Sequence, residues 1–192
     1  MRRPDIALIG LARSGKDTIA DYLVREHGYQ RVAFADPLKD MALRIDPLID
    51  GYTHADGENV QIRLSEVVER PGWERAKATY PKVRRFLQDL GVAVRAAQPD
   101  FWLSRGLDAI QAAGGDTPVV VTDCRFVNEA KALEALGFLI ASVTRPSLLV
   151  SGQRDPHISE NELRDYPTDR AICNAGTIAD LEDDVRRYLL SD

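Results

Sequence analysis

Apolar positions along this chain come in two rhythms. Short unbroken runs alternate with stretches in which apolar residues recur every three or four positions. DIALI (5–9) is a run closed by Gly10 and reads as a buried strand. From Lys16 to about His27 the period is helical, through Ile19, Leu23 and Val24, and Gly28 ends it. RVAFA (31–35) predicts a second strand. Asp36 and Pro37 then open a helix, with Asp at the cap and Pro at the first helical position. PVVVTD (118–123) is the clearest buried strand, three consecutive valines with a carboxylate at the end. VNEAKALEAL is a helix stopped by Gly137, FLIASV a fourth strand and AICN a fifth. TIADLEDDVRRYLL closes the chain as a helix capped by Thr177. Two more helices are expected from Pro81 to about Ala97 and from Pro99 to about Ala113, the latter ending at Gly114-Gly115. Residues 46–80 carry Gly51, Gly57, Pro71 and Gly72 and read as a loop-rich insertion with one helical piece near QIRLSEVVE.

Strands that alternate with helices throughout imply an α/β fold, a five-stranded parallel sheet with helices on both faces. Ligands of such sheets bind at the carboxyl ends of the strands. Gly10, Asp36 and Asp123 fall there.

Composition narrows the function classes. The 192 residues suffice for one domain with a sizeable core. A formal charge of -5 argues against sequence-independent binding to nucleic acid, which needs a basic face. Cys124 and Cys173 lie far apart without a Cys/His cluster. They are read as small buried residues in a reducing compartment rather than zinc ligands. The N-terminal apolar run is too short for a signal peptide, and no apolar stretch approaches the ~20 residues that span a membrane. A cytoplasmic protein without a membrane partner is expected.

GLARSGKDT (10–18) links the first strand to the first helix and nearly fits the phosphate-loop pattern G-x-x-x-x-G-K-[ST]. Gly10 and Gly15 allow the backbone, with Ser14 between them, to turn successive N–H groups toward one anion. The helix N-terminus adds partial positive charge, and Lys16 adds a full one. Asp17 stands where the hydroxyl belongs, and Thr18 supplies that hydroxyl one residue later. Gly-Lys-x-Thr is a variant seen in small-molecule kinases. It counts against switch GTPases and motor ATPases, and the chain also lacks an Asn-Lys-x-Asp motif. Whether Asp17 or Thr18 meets magnesium is open.

The helix after Pro81 has an apolar stripe of Val83, Phe86, Leu87, Leu90 and Val94. Beside it runs a second stripe, Arg84, Gln88, Gly91 and Arg95. A mid-helix glycine costs about 1 kcal/mol relative to alanine, so Gly91 reads as room for a ligand between two arginines and an amide. A solvated flank is the plainer alternative. Trp73 either stacks on a base or anchors the insertion.

RSGKDT, AFADPLKD (33–40), RRFLQDLG (84–91), VVVTDCRFVNEA (119–130) and NAGT (174–177), in that order, resemble the phage deoxynucleoside monophosphate kinases. Those enzymes are relatives of adenylate and dephospho-coenzyme A kinases. The resemblance implies one three-layer P-loop kinase domain over 1–192, with an acceptor-binding insertion at 46–98 and a lid at 145–170. It implies transfer of the γ-phosphate of ATP to a deoxynucleoside monophosphate, with Mg2+. Another small-molecule kinase or a non-catalytic ATP-binding protein is the alternative. Lys16, Arg13 and the lid arginines Arg145 and Arg154 would neutralise the transferring group. Asp36 would orient the attacking oxygen or bind the sugar, and Lys39 would bind the acceptor phosphate. Arg13, Trp73, Arg84, Gln88, Arg95, Arg125 and His157 are further acceptor candidates. Asn174, Gly176 and Thr177 would lie against adenine. Asp17 and Asp123 are the metal candidates, each expected to act through water. Ser159 and Glu162 read as a capping box of a short helix. Arg125 and Asn128 have capping and surface roles as their alternative. A homodimer is left open.

Overall fold

The computed structural model describes residues 3–113, 115–150 and 161–191. From the N-terminus run β1 (Ile6–Ile9), α1 (Lys16–His27), β2 (Gln30–Val32), α2 (Asp36–Ile45), β3 (Leu48–Thr53), β4 (Asn59–Arg63) and α3 (Leu64–Glu69). Next come α4 (Gly72–Thr79), α5 (Pro81–Ala97), α6 (Phe101–Ala113), β5 (Val119–Val121) and α7 (Val127–Ala135). β6 (Leu139–Thr144), α8 (Pro146–Val150), β7 (Arg170–Cys173) and α9 (Ile178–Leu189) complete the order. The chain divides into two units, one formed by the segments up to Phe34 and from Leu103, the other by Ala35–Trp102.

The first unit is built on a parallel sheet of order β2-β5-β1-β6-β7. β1 is central, with Ile6 opposite both Val120 and Leu139. Alternation along β1 divides two apolar layers. Ile6 and Leu8 pack with Ile19, Leu23, Val185 and Leu189 from α1 and α9. Ala7 and Ile9 pack with Ala113, Ala130 and Leu133 from α6 and α7. A fully buried leucine, isoleucine or valine side chain contributes about 1.5–3 kcal/mol, so β1 is anchored on both of its faces. The chain leaves β1 toward β2 on one side and later returns as β6 on the other. This reversal opens a crevice beyond the carboxyl end of β1.

The second unit holds α2, the antiparallel pair β3–β4, and α3, α4 and α5 around a core that includes Ala42, Leu64, Val83 and Leu87. The expected insertion at 46–98 lies inside it. The loop-rich reading of 46–80 is corrected: a hairpin and two helices occupy it. Asp56-Gly57 marks the hairpin turn, a recognised signal. The strands escaped because β3 buries only Ile49, so the usual alternation is missing.

Other differences are local. β2 ends at Val32 instead of residue 35. Its ladder with β5 stops there, and the Phe34 N–H donates to the Asp123 carboxylate at 2.8 Å. Asp36 is the first helical residue of α2, not its cap; Ala35 holds the cap position, and the Asp36 carboxylate pairs with Lys39 at 2.7 Å. Val24 is 41% exposed, and Tyr22 takes the buried position on α1. Cys124 is buried, and burial pushes its thiol pKa up. Cys173, expected inside, is exposed because β7 is an edge strand. Residues 161–165 form turns, and the Glu162 carboxylate accepts the Val127 N–H at the start of α7. Arg154, His157 and Ser159 lie outside the described residues. No helix among the described residues is long and apolar enough to cross a membrane.

Candidate functional site

Gly10 leaves β1 at φ +138°, and a Cβ there would lie 2.3 Å from the Val143 carbonyl oxygen of β6. Only glycine serves, because the obstacle is backbone. Arg13 sits at φ 64°, in the left-handed region without being glycine. Such residues cluster where a loop must hold an unusual shape for function. Gly15 follows at φ +115°, and its missing Cβ makes way for the Asn174 side-chain amide, 2.5 Å from that position.

Lys16 then starts α1 with only 7% exposure. Its Nζ donates to the Gly10 and Leu11 carbonyls, both at 2.7 Å. The loop thus encircles a cation at a helix N-terminus, an arrangement suited to an anion. Ser14 is 1% exposed, and its Oγ makes no hydrogen bond among the described residues. A buried hydroxyl left this way suits a ligand oxygen better than an apolar core.

The loop lines a cleft of roughly 330 Å³. Arg13, Lys16, Thr18 and Arg145 border it, as do Asn174, Gly176, Thr177 and Ile178 from the end of β7 and the start of α9. The wall opposite the loop is set by capping. The Thr177 hydroxyl accepts the Asp180 N–H, and the Thr177 N–H donates to the Asp180 carboxylate at 2.8 Å. The hydrogen bond from the Thr177 side chain, then that from its backbone, holds the Asp180 carboxyl below its ordinary pKa. A Cβ on Gly176 would lie 2.5 Å from that carboxylate. The Asn174 Nδ2 donates to the Ser14 carbonyl at 2.8 Å.

Asp17 is turned to Arg31, 2.7 Å away, and is mostly exposed. Among the described residues no three His, Cys, Asp or Glu side chains gather as a metal cage. Isolated hard donors such as the Thr18 hydroxyl and the Asp123 carboxylate fit magnesium, which keeps water and takes phosphate oxygens rather than filling an all-protein site. After β5, the Arg125 and Phe126 N–H groups donate to the Glu129 carboxylate at 2.9 and 3.1 Å. Glu129 is 2% exposed. Its capping position, three residues after Phe126, is the signal that the sequence carries for it.

In the second unit, Asp36 and Lys39 pair one turn apart on α2. Glu74 of α4 bonds Lys77. Burial pushes the Glu74 pKa up, but the Lys77 hydrogen bond and the charges of Lys77, Lys39 and Arg84 outweigh it and hold the carboxyl below its ordinary value. Lys39 and Arg84 therefore share one electrostatic neighbourhood, with Glu74 and Lys77 as members that pattern reading had missed. Gln88 is half-buried on the same stripe of α5 as Arg84. Arg95 reaches the Pro99 carbonyl at 3.3 Å. Gly91 does not leave a void: its side faces Leu38 of α2 at 3.5 Å, and its carbonyl accepts Trp102 Nε1–H at 3.0 Å. Trp73 packs on the unit's apolar core, which is the anchoring alternative.

Residues 43–185 match the family model described as deoxynucleotide monophosphate kinase. The chain belongs to the deoxynucleotide monophosphate kinase family. The matched segment begins after the phosphate loop, so the loop and the family model are separate grounds for a kinase. The chain is 28% identical over 188 residues to "Uncharacterized protein ORF76" of Ictalurid herpesvirus 1 (strain Auburn), covering 94% of this chain and 76% of the relative. It is 29% identical over 187 residues to "Putative deoxynucleotide monophosphate kinase" of Acanthamoeba polyphaga mimivirus, covering 90% and 89%. Among solved structures, TT1252 from Thermus thermophilus is similar at 19% identity, a TM-score of 0.48 and coverage of 97% and 96%.

For this kinase family member, the sequence-predicted donor residues Arg13, Gly15, Lys16, Asp17, Thr18, Arg145, Asn174, Gly176 and Thr177 border one cleft. Ile178, which also borders it, was not foreseen, although it is a large apolar residue at an exposed helix start.

Proposed function

We propose that this protein transfers the γ-phosphoryl group of ATP to deoxynucleoside monophosphates, giving the diphosphates, in the presence of magnesium. The observation that carries the reading is the loop cradle, with Lys16 Nζ held by the Gly10 and Leu11 carbonyls at the helix N-terminus. It belongs to a chain of the deoxynucleotide monophosphate kinase family.

In phosphoryl transfer the protein mainly positions the reactants and stabilises spread charge. Backbone N–H groups of the loop and Lys16 hold the β- and γ-phosphates of the donor. Arg13 and Arg145, on the border of the cleft, neutralise charge on the transferring group, with Arg154 as a further lid arginine. The apolar face of Ile178 with the 174–177 turn takes the adenine ring. Magnesium supplies charge neutralisation on the phosphate oxygens, and Thr18 and Asp123 are its candidate contacts. Asp17 contributes by holding Arg31. The acceptor phosphate goes to Lys39 and Arg84, and the base edge to Gln88, whose amide both donates and accepts. Asp36, bonded to Lys39, orients that cation and the attacking oxygen. Arg95, Arg125 and His157 complete the acceptor candidates.

A panel of every deoxy- and ribonucleoside monophosphate, each with ATP and magnesium, tests the proposal through ADP formation. ADP release that depends on one or more deoxynucleoside monophosphates is expected. Turnover with ribonucleoside monophosphates alone would assign a different acceptor. ATP binding without any acceptor-dependent ADP would make the protein a nucleotide-binding module.

A further inference from the structure

Asn174 ties the end of β7 to the phosphate loop. It follows β7, and its backbone N–H donates to the Thr144 carbonyl at 2.7 Å, which extends the β6–β7 pairing by one residue. That bond fixes the Cα of Asn174 beside the phosphate loop. Its side-chain Nδ2 then donates to the Ser14 carbonyl at 2.8 Å, across 160 positions of sequence. The amide occupies the space that a Cβ on Gly15 would fill, 2.5 Å away. Gly15 is therefore glycine on two counts, its φ of +115° and the presence of this amide.

We infer that Asn174 is a positioning residue for the phosphate loop. A trans peptide is planar, with its carbonyl and N–H pointing in opposite directions. Holding the Ser14 carbonyl on the Asn174 side aims the Gly15 N–H the opposite way, toward the anion. Without the amide donor, the Ser14–Gly15 peptide is free to rotate, and the N–H meets the phosphate only part of the time. The chemistry requires a donor of this length at this place. Aspartate has the same shape but presents an acceptor to an acceptor, and alanine presents nothing. The ligand-binding consequence rests on the phosphate-binding reading of the loop, whereas the brace itself does not.

The test compares Asn174→Asp and Asn174→Ala with the wild-type full chain. Hydrogen exchange without any ligand reads the brace directly. Amides of residues 10–18 should exchange faster in both variants, while those of α7 stay unchanged. Titration with inorganic tripolyphosphate and with ATP reads the consequence. In Asn174→Ala both affinities should fall by the same factor, roughly three- to tenfold, the worth of one hydrogen bond. Unchanged loop exchange in both variants would overturn the inference. So would a loss confined to ATP, which would mean that the amide contacts the base. Should the wild-type protein bind neither ligand, the kinase reading fails, and the exchange comparison still decides whether Asn174 holds the loop.

Discussion

Lys16 is a cation buried at a helix N-terminus, where the macrodipole opposes positive charge. The Gly10 and Leu11 carbonyls that accept from its ammonium offset that cost. Lys16→Ala should therefore cut turnover by about a hundredfold or more, with the circular dichroism spectrum and melting temperature near wild type. A variant with ordinary turnover would show that the lysine is only structural. Gly10 answers to geometry rather than charge. Gly10→Ala would drive a methyl into the Val143 carbonyl at an unfavourable φ. A loss of about 2 kcal/mol or more is expected in a urea melt, together with weakened ATP binding. The loop's geometry was legible in the sequence, because glycines and a lysine at fixed spacing have a physical meaning of their own: Gly10 and Gly15 take positive φ, and Lys16 starts the helix. The role of Asn174 was not legible: the residue it holds is 160 positions away, and only the fold brings them together.

At the scale of elements, α5 and α9 match their predicted limits closely, from Pro81 to Ala97 and after the Thr177 cap. Both carry strong apolar periods and clear start signals. The hairpin β3–β4 was missed because its strands expose most of their residues. The end of β2 was misplaced because a side chain, Asp123, takes over from the ladder. The cap of α9 yields a measurable consequence. Thr177→Ala should cost about 1 kcal/mol of stability. The Asp180 carboxyl, held below its ordinary pKa by Thr177, adds a sign to this effect. A depressed carboxyl stabilises the fold above its unfolded pKa and loses that contribution as pH falls through the folded value. The difference between wild type and Thr177→Ala should thus be full at neutral pH and shrink below about pH 4, near the ordinary aspartate value of 3.8. A pH-independent difference in melting temperature would contradict the capping-box account.

At the scale of the molecule, two units carry different parts of the proposed reaction. The parallel-sheet unit holds the phosphate loop and its cleft, and Ala35–Trp102 holds the cluster of Lys39, Arg84, Glu74 and Lys77. This division predicts separable kinetics. Arg84→Ala should raise the KM for the acceptor roughly tenfold, the loss of a charge-assisted contact, and leave the KM for ATP within about twofold. Equal increases for both substrates would deny the second unit a specific acceptor role. Both kinetic effects presuppose direct transfer between two bound nucleotides. That is most directly measured by following the label of γ-32P-ATP, incubated with magnesium, the protein and a deoxynucleoside monophosphate. The label should appear in the deoxynucleoside diphosphate in proportion to the ADP formed. Label found only in inorganic phosphate, or retained in ATP whatever the acceptor, would contradict the assignment.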